Sequence, residues 1–125
     1  MAMELLKFVG PSENSFLKAK EVAKPIDESV KSRKISHEYL QILGETTNNL
    51  IFCLLDQNKN RRFTREQIRI SIEEHVSQQK ANGKKNSDLA RIQTGKAAIN
   101  YWIDLFVENQ VFKKLQSKPV QFWRD

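Results

Sequence analysis

Tyr39, Leu40, Leu43, Thr47, Leu50, Ile51, Leu54 and Leu55 recur at three- and four-residue spacings, and no other pattern in the chain restricts its fold as strongly. Such a stripe is the buried side of an amphipathic helix, predicted here over residues 36–56 as the main core element. With 125 residues and 14.6 kDa, the chain suits one compact domain with a modest core.

Residues 56–67, DQNKNRRFTREQ, interrupt the stripe and begin like a calcium loop. Asp56, Asn58 and Asn60 stand at its first, third and fifth positions, and Phe63 at its apolar eighth. Such a loop needs glycine at the sixth position and glutamate at the twelfth, where this chain has Arg61 and Gln67. Asp56 is the one anion in the ligand positions, and Lys59, Arg61, Arg62 and Arg65 surround it with positive charge. No metal or other cofactor is expected. The second half of the stretch is a helix start: Thr64 and Gln67 form a capping box, and Phe63 before the cap is placed to pack on Ile68.

A second helix is predicted over residues 65–79, burying Ile68, Ile72 and Val76. KANGKKN follows as a polar, basic loop, and Ser87 can cap a short helical piece, SDLARIQ. TGKAAINYWIDLFVENQ makes a third helix with Thr94 as its cap and Ile99, Trp102, Ile103 and Phe106 as its buried stripe. The closing VFKKLQSKPVQFWRD has two short runs rich in β-branched and aromatic residues around a turn at Ser117 and Lys118. It reads as a β-hairpin with Pro119 at the start of its second strand.

Ahead of the stripe, residues 1–34 mix a short apolar start with Gly10, Pro11, Pro25 and many charges. Helical turns can follow Ser12 and Pro25, with each proline limiting their run, so the segment reads as an arm that packs on a partner subunit or is flexible. No apolar run approaches the roughly 20 residues of a membrane helix, and no basic-then-apolar signal peptide opens the chain. A cytoplasmic protein without membrane contact is expected. The single cysteine, Cys53, lies in LIFCLL and reads as a small buried hydrophobe.

Net charge is +6, unevenly distributed. Residues 1–58 carry seven Lys or Arg against eight Asp or Glu, whereas residues 59–125 carry fourteen against seven. The basic half is where a polyanion would be met. Catalysis finds little support: His37 and His75 lie far apart, no nucleophile motif or Gly-rich phosphate loop occurs, and Glu73, Glu74 and His75 diverge around their helix. The chain is expected not to be an enzyme and to take no small-molecule ligand.

Three helices, a short extended piece (RRF) between the first two, and a terminal hairpin follow one another in the order of a winged helix-turn-helix domain. TGKAAINYWIDLFVENQVFKKLQSKPVQFWRD resembles the recognition helix and wing of that superfamily, and LFVENQVF is similar to the helix-to-strand passage in regulators of the MarR and ArsR kind. The resemblance covers residues 36–125. It implies a mainly α fold with a small β-hairpin: three core helices, a C-terminal wing and an N-terminal arm, divided as residues 1–34 and 35–125. One departure is the long segment over residues 80–93 in place of the usual tight turn before the recognition helix; Lys84, Lys85 and Arg91 can give it contacts of its own.

The resemblance implies a function as well. A DNA-binding protein, a transcriptional regulator or replication accessory factor, would hold double-stranded DNA through the third helix and wing, commonly as a homodimer and, in the cell, with the nucleoid. With its stripe buried, the third helix presents Lys96, Ala97, Asn100, Tyr101 and Asp104. Asn pairs with adenine, Lys reaches guanine acceptors or phosphate, and Asp104 repels phosphate. Arg65 and Arg69, one turn apart, can clamp a phosphate at the start of the second helix, or serve as partners of Glu73. The wing offers Lys113, Lys114, Lys118 and Arg124; adjacent strand residues point opposite ways, so one of Lys113 and Lys114 meets the duplex, and Lys118 at the tip is the foremost contact. The alternative is a winged helix used as a protein-protein interaction module without nucleic acid, which fold alone does not separate from the first reading.

Overall fold

A computed structural model of the chain describes residues 8, 10–30, 46–85, 89 and 92–125, with side chains in the first helix as far as Val22. Among them run four helices, α1 (Glu13–Val30), α2 (Thr47–Asp56), α3 (Arg65–Ala81) and α4 (Lys96–Glu108), then two strands, β1 (Lys113–Leu115) and β2 (Gln121–Trp123). The architecture is mainly α with a small antiparallel hairpin.

All ten residues of α2 are buried, so it forms the axis on which α1, α3 and α4 pack. A helix apolar on most of its circumference needs such cover on every side. The helix is shorter than the stripe predicted. Thr46 is extended (φ −128°, ψ 165°) and its hydroxyl accepts the Asn49 N–H, so a new helix starts at Thr47 and does not continue from residue 36. The cause lies in TTNN, whose side chains bond backbone N–H groups at a helix start better than they sustain a helix interior. Tyr39, Leu40 and Leu43 lie outside the described residues. Cys53 is buried in α2.

Ser12 starts α1, its hydroxyl accepting from the Ser15 N–H at 3.2 Å. The segment read as an arm packs, from Ser15 to Val22, on α2 of its own chain: Ser15, Ala19 and Lys20 are buried and Val22 borders the core. Pro25 does not end the helix; it has no N–H to donate, and the helix continues through it to Val30. Gln57 fastens the preceding turn to α2, accepting the Ser12 N–H at 2.6 Å and donating to the Gly10 carbonyl at 3.2 Å. Gly10 has φ +102°, and a Cβ there would stand 2.9 Å from His75 Cε1, so this close approach requires glycine.

The capping box forms as predicted, with Thr64 N–H donating to Gln67 Oε1 at 2.9 Å and Gln67 N–H to Thr64 Oγ1 at 3.2 Å. Ile68 and Ile72 are buried, but His75 takes the next inward position, against the Phe8 ring, while Val76 is half-buried. Three residues after Ile72 rather than four is the other spacing a helix allows on one face. Leu89 and Ile92, from the long segment before α4, are buried in the core, so this insertion is partly structural. Ser87 and Arg91 lie outside the described residues. The Thr47 hydroxyl accepts from Gln93 N–H at 2.6 Å, tying this segment to the start of α2.

The N-cap of α4 is Gly95, one residue later than the predicted Thr94, with no side-chain cap bond. Ile99, Ile103 and Phe106 are buried and Trp102 is half-buried over Phe106. Gln110, at φ +62°, turns the chain after α4, and Val111 N–H closes the turn on the Phe106 carbonyl at 2.8 Å. The hairpin pairs Lys113 with Trp123, Lys114 with Phe122 and Leu115 with Gln121. Its loop is longer than predicted and contains Pro119, which carries no strand pairing. Phe63 adds an antiparallel bridge to Phe122 through N–H···O bonds of 2.9 and 2.8 Å, so RRF lies beside β2 and β2 lies between it and β1.

Candidate functional site

The helices position one cationic cleft. It has a volume of about 350 Å³ and is lined by Arg65, Glu66 and Arg69 from the first turns of α3 and by Lys96, Ile99 and Asn100 from α4. The capping box aims the first turn of α3, and the buried Ile68 and Ile99 hold the two helices against the same core. Residues some thirty positions apart in sequence therefore share one surface.

Every arginine there is already engaged. Arg65 Nη2 donates to Asp104 Oδ1 at 2.7 Å, Nη1 lies 3.5 Å from Asn100 Oδ1, and the guanidinium rests over the Phe122 ring at 4.7 Å. Arg69 donates to Glu66 and, at 2.6 Å, to Glu73. The Arg69 hydrogen bond outweighs the opposing effect of burial and, with the charges of Arg69 and Lys96 adding to it, holds the Glu66 carboxyl below its ordinary value of 4.5. The same Glu66 bond raises Arg69. Three cations and three carboxylates thus meet at this place.

The other predicted contacts do not line the cleft. Ala97 and Tyr101 are exposed on α4, Tyr101 edge-on to Trp102 with ring centroids 5.5 Å apart. Lys84 and Lys85 are exposed in the loop after α3, and Lys118 is exposed in the hairpin loop; none of the three lines the cleft. Lys114 is half-buried with its Nζ 6.0 Å from the Phe122 ring, while Lys113, on the opposite face of the strand, is exposed and paired with Asp125. That pairing lowers the Asp125 carboxyl.

Arg124 has a different place from the wing contact expected of it. Its Nε donates to Asp56 Oδ1 at 3.0 Å, its Nη1 donates to the Val111 carbonyl at 3.2 Å, and its guanidinium covers the Phe52 ring at 4.7 Å. Asp56, the first position of the calcium-like stretch, receives Ser15 Oγ at 2.7 Å on its other oxygen, with Lys18 Nζ at 4.0 Å. Its oxygens tie α1 and the residue after β2 to α2. Among the described residues no group of three or more His, Cys, Asp or Glu side chains is placed to hold a metal.

Sequence reading missed Glu66 and Ile99 as lining residues and Arg62, whose guanidinium stacks on Trp123 at 4.4 Å. The Glu66–Arg69 spacing is a local signal that was open to use. The Arg65–Asp104 pair, 39 residues apart, has none. No helix among the described residues is long and apolar enough to cross a membrane. Compared with family models, curated proteins and solved structures, the chain matches none of them.

Proposed function

We propose that this chain is a DNA-binding protein of the winged helix-turn-helix type, acting as a transcriptional regulator or replication accessory factor. Support for the fold comes from the element order α2, bridge strand, α3, α4, hairpin, with β2 lying between the bridge strand and β1. Support for the function rests on one observation above all: Arg65 and Arg69 of α3 share a cleft with Lys96 and Asn100 of α4.

In this reading α4 enters the major groove by its N-terminal half. Lys96 and Asn100 have donors for base edges or phosphate, Ala97 presents a methyl to thymine, and Tyr101 adds an exposed ring. Arg65 and Arg69 hold the phosphate backbone at the rim, where it fixes register without reading sequence. Lys118 in the hairpin loop and Lys114 on β1 reach a second stretch of backbone, and Lys84 and Lys85 extend the basic surface beyond α3. A second copy of the chain would double these contacts in a two-fold arrangement.

The protein-interaction reading has an observation of its own, the ion pairs that already engage the cleft arginines, together with exposed Leu17, Ile70 and Tyr101. Anisotropy of a labelled random-sequence duplex separates the two. The DNA reading expects binding at low salt that Lys96→Glu and Lys118→Glu each weaken. Absence of low-salt binding, or indifference to both reversals, would leave the interaction module in its place.

A further inference from the structure

We infer that the α3–α4 cleft is a latched phosphate site, in which Asp104, Glu66 and Glu73 occupy the guanidinium groups that backbone phosphates take over when duplex binds. The inference rests on the DNA-binding reading above and names how that site is regulated.

Three of the seven carboxylates in residues 59–125 are bonded to the two arginines of this one cleft. The charge of the two cleft arginines is therefore matched by carboxylates within the basic half of the chain. Asp104 and Glu73 do not line the cleft themselves; each reaches an arginine from the rim. Their side chains are about half exposed, 53% for Asp104 and 50% for Glu73, so either can swing into water once released.

A carboxylate and a phosphodiester present similar paired oxygens to a guanidinium fork, and an exposed ion pair is weak enough to exchange. A single small anion must compete with a tethered carboxylate at high local concentration. A duplex brings a row of phosphates and gains from counterion release, which drives the exchange at several positions together. The Phe122 ring beneath Arg65 keeps the guanidinium in place while its partner changes. The latch thus favours a polyanion over isolated phosphate.

The test is a double-mutant cycle read by duplex anisotropy over a salt series, using the full chain as wild type, Asp104→Asn, Arg65→Gln and the double variant. Glu74→Gln, an exposed carboxylate on α3 that does not line the cleft, controls for loss of negative charge alone. Asp104→Asn is expected to tighten binding roughly two- to fivefold, the size of an exposed ion pair, and to steepen the log–log salt slope by about 0.9 for one gained phosphate contact. In the Arg65→Gln background its gain should shrink to that of Glu74→Gln. Glu73→Gln repeats the measurement at Arg69, and thermal melts check that each variant is folded. An equal gain in both backgrounds would mean long-range charge and overturn the latch, as would no gain at all. Wild-type binding without a gain from Asp104→Asn removes the latch alone, whereas duplex left unbound by both chains at low salt removes the DNA-binding reading and the latch with it.

Discussion

Asp56 begins a stretch whose residue types imitate a calcium loop, yet its two oxygens are used by Ser15, Lys18 and Arg124. Burial opposes its charged form, but the Ser15 and Arg124 hydrogen bonds and the two cations together outweigh it, so the folded carboxyl lies below its ordinary 3.8. A group lowered in the folded state adds stability that is complete above 3.8 and is lost as pH falls through the folded value. Asp56→Asn should therefore cost about 3 kcal/mol near neutral pH, as breaking a buried pair does, and should flatten the acid limb of the stability curve. Urea midpoints at several pH values measure both effects; an unchanged acid limb would show that another carboxylate sets it. The carboxylate was legible in the sequence as an anion among cations. Its partners were not, because Ser15 and Arg124 lie 41 and 68 residues away.

At the scale of elements, local signals were read where they were self-contained. The Thr64–Gln67 box needs four consecutive residues, and it formed as predicted. Thr64→Ala should destabilise the protein by about 1 kcal/mol, the usual value of an N-cap, measured by urea denaturation. Because the box starts the helix whose first two turns carry Arg65 and Arg69, duplex affinity should fall in parallel. For α2 the apolar spacing identified the interior correctly from Thr47 onward but carried the helix too far back, since periodicity does not register a cap in its midst. Phe52 shows what that helix supports: it is fully buried and meets the Phe106 and Phe112 rings at 6.2 and 6.5 Å. Phe52→Ala should cost about 3–5 kcal/mol, visible as a large fall in thermal midpoint. Pro25 and Thr94 were misjudged because the preference of a single residue is a weak guide to where a helix begins or ends.

For the whole molecule, charge is the property that function would read out. The cations Arg65, Arg69, Lys96, Lys114 and Lys118 give about five phosphate contacts if all engage a duplex, and affinity should then fall roughly 500-fold between about 50 and 200 mM salt. A titration whose slope corresponds to only one or two contacts would show that the cleft and the hairpin do not act together. The excess of basic residues after residue 58 was plain in the sequence. Its cancellation at the cleft was not, since Asp104 reaches Arg65 only after α3 and α4 pack together.

What the sequence determined by itself is local: where apolar residues repeat at helical spacing, where a capping box begins α3, and which late segment has runs of β-branched and aromatic residues that pair as a hairpin. These follow from interactions within a few residues, whose energies do not depend on the rest of the chain. Tertiary structure decided the remainder: α1 against α2, Phe63 beside Phe122, Asp56 under Arg124, and arginines facing carboxylates across the cleft. Each of those joins groups distant along the chain, and burial of the common core, which no short window of residues contains, is what brings them within bonding distance.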